Sequence, residues 1–216
     1  HEIKNPLTPI QLTIDRLKTK YSSELSENNS QNFKENLKII NNQIKQIEKL
    51  VNDFSDFARM PKPTLRKNNI VNIIKENIKL LNELDKSIVI KFNSNSSEVF
   101  LNSDNEQLSR VFLNLIKNSI ESVQQKHENN SFFDKKITIE LFQDDIQIII
   151  IITDNGIGFK KFNNNIKDAL NPYITTKKNG TGLGLSIVNK IVNDHNGKIE
   201  LMSVKEGAKI KIIFTK

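Results

Sequence analysis

The stretch Gly180-Thr181-Gly182-Leu183-Gly184-Leu185 runs directly into Ser186-Ile187-Val188-Asn189-Lys190-Ile191-Val192. Three glycines at alternate positions let the backbone take positive φ and approach a ligand closely. The apolar run behind them reads as a helix whose first turn carries unpaired N–H groups. A phosphate suits such a place. The same letters also describe a tight loop entering a helix, so their meaning depends on what else the chain offers. Three other stretches call for the same nucleotide: Asn114 to Asn118, Asp154 to Gly158, and the histidine that opens the chain.

Outward from the glycines, the pattern from Asn69 onward is mixed α and β. Ile70, Ile73, Ile74, Ile78 and Leu81 fit one helix face, and short strands are expected at 88–92 and 99–101. Asp104 caps a helix running to about Gln125. Ile137 to Leu141 alternates as a half-buried strand, whereas 147–153 is apolar throughout its interior and reads as a central strand. After the helix that follows Gly184, strands 198–203 and 209–214 close as a hairpin around Glu206-Gly207. An α/β sandwich follows, with helices on one face of a mixed sheet.

The first sixty residues are different. Ile3, Leu7, Ile10, Ile14 and Leu17 alternate spacings of four and three, and so do Leu37, Ile40, Ile44, Ile47, Val51, Phe54 and Ala58. The polar segment from Tyr21 to Gln31 between them reads as the loop of a helical hairpin. A hairpin has only one partner for its stripes, so pairing of two chains into a four-helix bundle is expected, with a single-chain helical core as the alternative. Pro6 and Pro9 should bend the first helix just past His1. Met60-Pro61-Lys62-Pro63 ends the second helix. The expected domains are 1–60, a linker at 61–68, and 69–216.

With 37% hydrophobic and 26% charged residues, a chain of 216 residues can bury a core. The lack of cysteine excludes disulfides and thiolate metal sites, and the three scattered histidines do not form a zinc cluster. A cytosolic setting fits. The longest apolar run, 148–152, falls well short of the roughly 18–20 residues of a spanning helix, and nothing resembles a signal peptide. The net charge of +7 comes from lysines spread along the whole chain, so no nucleic-acid partner is expected.

Asn114 and Asn118 are one turn apart on a helix, with Glu121 further on. An amide oxygen there would suit Mg²⁺ bridged to phosphates; a solvated face in an asparagine-rich protein is the plainer alternative. Asp154, at the end of the central strand with Gly156 and Gly158 beside it, is placed to accept from an exocyclic amine such as that of adenine, unless Asn155-Gly156 is only a turn. Residues 159–179 are long and polar enough for a lid. Lys177 within it reads equally as a phosphate contact or as an ordinary surface lysine.

Taken together, these residues resemble the cytoplasmic core of bacterial sensor histidine kinases of two-component systems, the nitrogen-regulation (NtrY-like) group most closely. His1-Glu2-Ile3-Lys4-Asn5-Pro6 looks like the family's H box and Asn114-Leu115-Ile116-Lys117-Asn118 its N box. Asp154 to Gly158 looks like the G1 box, Pro172 to Lys177 the F-box region, and Gly180 to Leu185 the G2 box, all in the family's order. The resemblance implies a fold of class α+β: a helical-hairpin dimerisation and phosphotransfer domain followed by a GHKL/Bergerat-type ATP-binding α/β sandwich. It implies His1 as phosphoacceptor, with Glu2 fixing its tautomer and Asn5 in the position that orients a hydrolytic water. Asn118 would be the Mg²⁺ ligand with Asn114 beside it, and Asp154, Gly156 and Gly158 would receive the base. Lys177, Gly180, Thr181, Gly182, Leu183, Gly184 and Leu185 would frame the phosphates of ATP. The implied partners are a second copy of the chain and a cognate response regulator. A membrane enters only through upstream segments of a parent anchored in the bacterial inner membrane.

Three features depart from the pattern. Ser119 stands where the family usually has Ala, and Leu170-Asn171 replace the common Phe-Glu. The chain also opens on the phosphoacceptor itself, so it is expected to be a fragment or the product of gene decay or an altered start. Two other functions stay open on the sequence: an ATP-binding module that engages a regulator without autophosphorylation, and a GHKL ATPase of the gyrase or chaperone kind.

Overall fold

A computed structural model describes residues 4–21, 27–83, 85–129, 133–159, 162, 165–177 and 180–216. It divides into two compact units, 1–60 with 177–181, and 61–176 with 182–216.

In the first unit α1 (Lys4–Tyr21) and α2 (Glu27–Ala58) form the hairpin. Leu7 and Ile14 pack with Leu37 and Ile44, flanked by Phe33. Gln11 Nε2 donates to Asn41 Oδ1 at 2.7 Å, and the Tyr21 and Phe33 rings meet edge to face. Each expected seam splits in two. Leu7, Ile14, Leu37, Ile44 and Val51 are buried, whereas Ile10, Leu17, Ile40, Ile47 and Phe54 are exposed. Positions seven apart share a face, so one row closes the hairpin and the other lies open. The loop is shorter than expected because α2 starts at Glu27; a polar sequence forms helix readily once a long apolar stripe downstream anchors it. The segment 177–181 groups with this unit, and Thr181 Oγ1 donates to Asp53 Oδ2 at 2.8 Å.

The second unit begins with β1 (Arg66–Asn69), which pairs antiparallel with β3 (Phe100–Ser103) as a separate ribbon. Four polar residues gave no strand pattern, so β1 was not expected. Between them lie α3 (Ile70–Asn82), capped by the Asn69 side chain on Val71 N, and β2 (Val89–Ser94). After α4 (Asn105–Asn129) come β4 (Lys136–Gln143), β5 (Gln147–Asp154), a 3-10 turn at Ile166–Leu170, α5 (Gly184–Asp194), β6 (Gly197–Ser203) and β7 (Ala208–Thr215). The sheet order is β2-β4-β5-β7-β6, with β2 and β4 parallel and the rest antiparallel. β5 is the central strand, as its isoleucine run predicts. Ile137, Ile139, Leu141, Ile148 and Ile150 from the sheet are fully buried, as are Leu108, Phe112, Leu115 and Ile116 from α4. Burial of each such side chain stabilises by about 1.5–3 kcal/mol.

The start of α4 is tied on three sides. Asp104 Oδ1 accepts from Gln107 N at 3.1 Å as an N-cap, and its Oδ2 accepts from Thr64 N at 2.9 Å. Its own N–H donates to His195 Nε2 at 2.9 Å, while His195 Nδ1 faces the Ile191 carbonyl at 2.8 Å, so the ring proton is assigned to Nδ1. Burial works against the ionised Asp104, but the N–H groups of Gln107, Thr64 and Glu106 outweigh it and hold the carboxyl below its ordinary value. Its stabilising effect is therefore complete above the ordinary aspartate value and is lost as pH falls through the lowered one. Asp104→Ala is expected to cost about 1–2 kcal/mol in urea denaturation at neutral pH. The deficit should shrink at acid pH; a constant deficit would contradict this account.

Candidate functional site

The site within the second unit is built where α4, the end of β5 and the start of α5 converge. β5 delivers Asp154 opposite Ile137 of β4 and Ala208 of β7. The residue is 5% exposed, and its Oδ1 accepts from Gly156 N at 2.9 Å and from Ser122 Oγ at 3.1 Å. Burial raises the Asp154 carboxyl above its ordinary value, opposed by the Gly156 N–H, the Ser122 and Ser119 hydroxyls and the Ala208 N–H. The result is a buried acceptor whose ionised form is costly and held by short-range donors.

The turn after Asp154 is bound on both sides. Asn155 brackets the start of β4, its Oδ1 accepting from Lys136 N at 2.9 Å and its Nδ2 donating to the Asp134 carbonyl at 2.8 Å. Lys126 Nζ donates to the Asn155 carbonyl at 2.8 Å. The glycines make room for the protein itself. A Cβ on Gly156 would lie 2.2 Å from Ser122 Oγ, and one on Gly158 (φ +64°) would lie 2.0 Å from the Gly207 carbonyl oxygen. Gly207 (φ +75°) is wedged in turn against the Asp154 carbonyl.

α4 carries Asn114 and Asn118 on a half-exposed face, with Leu115 and Ile116 buried behind them. Asn114 Nδ2 donates to the Arg110 carbonyl at 2.9 Å, which leaves its amide oxygen pointing elsewhere. α5 starts against this pair: a Cβ on Gly184 would lie 3.3 Å from Asn114 Oδ1 and 3.8 Å from Asn118 Nδ2. The N-cap Leu183 makes no side-chain cap bond, and Ile187 N supplies the first backbone bond of the helix, to the Leu183 carbonyl. Gly184, Leu185 and Ser186 are the first-turn residues of α5, whose N–H groups have no acceptor one turn back within the helix, and a helix start of this kind beside the asparagines suits an anion. Gly182 (φ +70°) packs on Tyr173, whose N–H donates to the Gly182 carbonyl at 3.1 Å. Pro172 to Ile174 therefore abuts the glycine loop.

The structure thus sets Gly184 against Asn114 and Asn118, packs Gly182 on Tyr173, and gathers Asp154, Gly156 and Gly158 around Ser122, one turn further along α4. Lys177, Gly180 and Thr181 group with the helical unit instead. His1 and Glu2, and the side chain of Asn5, lie outside the described residues. Ser122 and Gly207 were missed. Ser122 continues the Asn114, Asn118 spacing of four, which was the available signal; Gly207 read only as a hairpin turn.

For a divalent cation the donor set is sparse. No group of three or more His, Cys, Asp or Glu side chains could hold a metal among the described residues. A hard amide oxygen beside an anion seat fits Mg²⁺ that takes its other ligands from phosphate and water.

Residues 103–216 match the family described as histidine kinase-, DNA gyrase B-, and HSP90-like ATPase, and residues 1–63 match the His Kinase A (phospho-acceptor) domain. The chain belongs to the histidine kinase family. It is 37% identical to the putative sensor histidine kinase NtrY-like of Rickettsia conorii over 215 residues, 99% of this chain and 34% of that protein. It is 35% identical to the nitrogen regulation protein NtrY of Azorhizobium caulinodans over 96% of this chain and 26% of that one. The chain thus spans about a third of the length of the curated relatives it matches. Histidine kinase ThkA, solved in complex with the response regulator protein TrrA, has the same fold (TM-score 0.69, 23% identity, 100% of this chain and 59% of that one). So does full-length ShkA, solved in complex with AMPPNP (TM-score 0.70, 18% identity, 99% and 44%). The histidine kinase family, and the order of a helical hairpin followed by an α/β sheet domain, follow from these matches. No described helix is long and apolar enough to cross a membrane.

Proposed function

We propose that this chain is the catalytic core of a protein histidine kinase, which transfers the γ-phosphoryl group of ATP to His1 and then to an aspartate of a response regulator. The observation that carries the reading is the junction of Gly184 at the start of α5 with Asn114 and Asn118 of α4, the helix that one turn further on, at Ser122, holds the buried acceptor Asp154. Asp154 would take a hydrogen bond from the adenine amine. The N–H groups of Gly184 to Ser186 would hold phosphate oxygens, and Asn118, with Asn114 beside it, would give its amide oxygen to Mg²⁺, which neutralises phosphate charge. Lys177, in the lid segment 159–179, would reach a terminal phosphate, and Gly180 and Thr181 of the glycine loop would help to frame the phosphates.

The chemistry at His1 needs little beyond placement. A neutral imidazole nitrogen attacks the γ-phosphorus, the bond to the β–γ bridging oxygen breaks, and ADP leaves. The imidazole proton passes to Glu2, which holds the tautomer, or to solvent. Asn5 would orient water for the reverse, phosphatase reaction.

In this scheme residues 1–60 form the dimerisation and phosphotransfer hairpin and 69–216 the catalytic domain, with the expected linker 61–68 shortened at its far end because Arg66 to Asn68 already belong to β1. The exposed row Ile10, Leu17, Ile40, Ile47 and Phe54 supports a second copy of the chain completing a four-helix bundle. The parent protein would be held at the bacterial inner membrane by segments outside this chain.

Incubation with ATP radiolabelled on its γ-phosphate should give acid-labile, alkali-stable label that disappears in His1→Gln. Label persisting in that variant would remove the kinase assignment to His1. ATP turnover with no phosphoprotein would favour the chaperone-like ATPase.

A further inference from the structure

This inference rests on the nucleotide reading above and concerns Ser122, a side chain that reading does not use. Ser122 lies on α4 one turn past Asn118 and touches every residue of the turn Gly156 to Gly158. Its hydroxyl donates to Asp154 Oδ1 at 3.1 Å, the oxygen that also accepts from Gly156 N at 2.9 Å. Its carbonyl accepts from Ile157 N at 3.3 Å, and Gly158 N points at its Oγ from 3.5 Å. With a Cβ on Gly156 falling 2.2 Å from that Oγ, serine and glycine fit here as a pair.

The terminal torsion of an aspartate is broad, so its rotamer alone does not aim the carboxylate. Donors do: Ser122 Oγ and Gly156 N meet on Oδ1, and with the Ser119 hydroxyl and the Ala208 N–H also bonded to the carboxyl they fix its plane, Ser122 being the one of the four that also braces the turn Gly156 to Gly158. The bond also commits the single proton of the Ser122 hydroxyl to Asp154, so that Ser122 has none to donate to a 6-oxo group on a base. We propose that Ser122 is a positioning residue for base specificity, holding Asp154 so that it accepts from the 6-amino group of a purine and discriminates against purines that lack one.

The test is equilibrium binding of ATP and of purine riboside triphosphate, which lacks only the 6-amino group, to the full chain in the presence of Mg²⁺. The unsubstituted chain should prefer ATP by about ten-fold or more. Ser122→Ala should weaken ATP by about ten-fold and leave purine riboside triphosphate within about two-fold, so the preference collapses. A residue that merely supports the fold would weaken both nucleotides alike, and an unchanged ratio overturns the proposal. A thermal melt checks the fold of the variant. Should Ser122→Ala melt early, Ser122→Cys, close in volume but a weak donor, decides the same ratio. If the unsubstituted chain binds neither triphosphate, the nucleotide reading falls and this inference with it. If it prefers ATP and the ratio ignores Ser122, only this inference falls.

Discussion

Replacing Gly207 by alanine is expected to destabilise the sheet unit by about 2–6 kcal/mol and to remove ATP binding along with it. Two costs add. The residue sits at φ +75°, where a side chain is strained by about 1–3 kcal/mol. The new Cβ would also lie 1.8 Å from the Asp154 carbonyl oxygen and 2.7 Å from Asn155 Cα, both backbone atoms that cannot swing aside. Overpacking of that kind costs about 1–3 kcal/mol more. The damage would fall on the Asp154 turn rather than on the β6–β7 hairpin that carries the glycine. Urea denaturation measures the loss; a change below about 1 kcal/mol would mean that the three-way contact of Gly207, Asp154 and Gly158 is looser than described.

Asp154→Asn should reduce ATP affinity by about 100-fold, because a charged acceptor in a buried site is replaced by a group that meets the adenine amine partly with its own N–H donors. Acid should mimic the change. Since burial raises the carboxyl, ATP affinity should fall with pH at a midpoint above that of an ordinary aspartate, and Asp154→Asn should be flat across that range. Stability moves the opposite way. The folded chain holds this proton more tightly than the unfolded one, so a penalty develops as pH rises from the ordinary value and is complete above the raised one. Asp154→Asn is accordingly expected to melt no earlier than the parent at neutral pH. An ATP affinity independent of pH down to the ordinary aspartate range would refute the buried-acceptor account.

Most of the second unit was legible because periodicity reports burial. The isoleucine run of β5, the alternation of β4 and the cap at Asp104 each follow from a local pattern. β1 was invisible because Arg66 to Asn69 carry no apolar residue, and the ribbon exists only through pairing with β3. The site motifs stood out as glycine and asparagine at fixed spacings, but the reason for the glycines did not. Gly156 and Gly158 looked like space for a ligand, whereas Ser122 and Gly207 fill that space. Such contacts join residues far apart in the chain, and nothing local in the sequence announces them. In the helical unit the heptads showed two seams but not that alternate members would face away from the hairpin.

The knot around Asp104 changes how the second unit should come apart. Thr64 and Pro61 near its entry are held by Asp104 and by Gln107 Nε2, and the residue after α5, His195, is fastened to the same aspartate. At the other extremity Phe214 is buried and Lys216 N donates to the Ile146 carbonyl at 2.9 Å. Neither extremity is loose, so unravelling has no cheap place to begin. Amide exchange should therefore report one shared opening for β5, β7, α4 and α5 rather than a gradient of fraying from the tips.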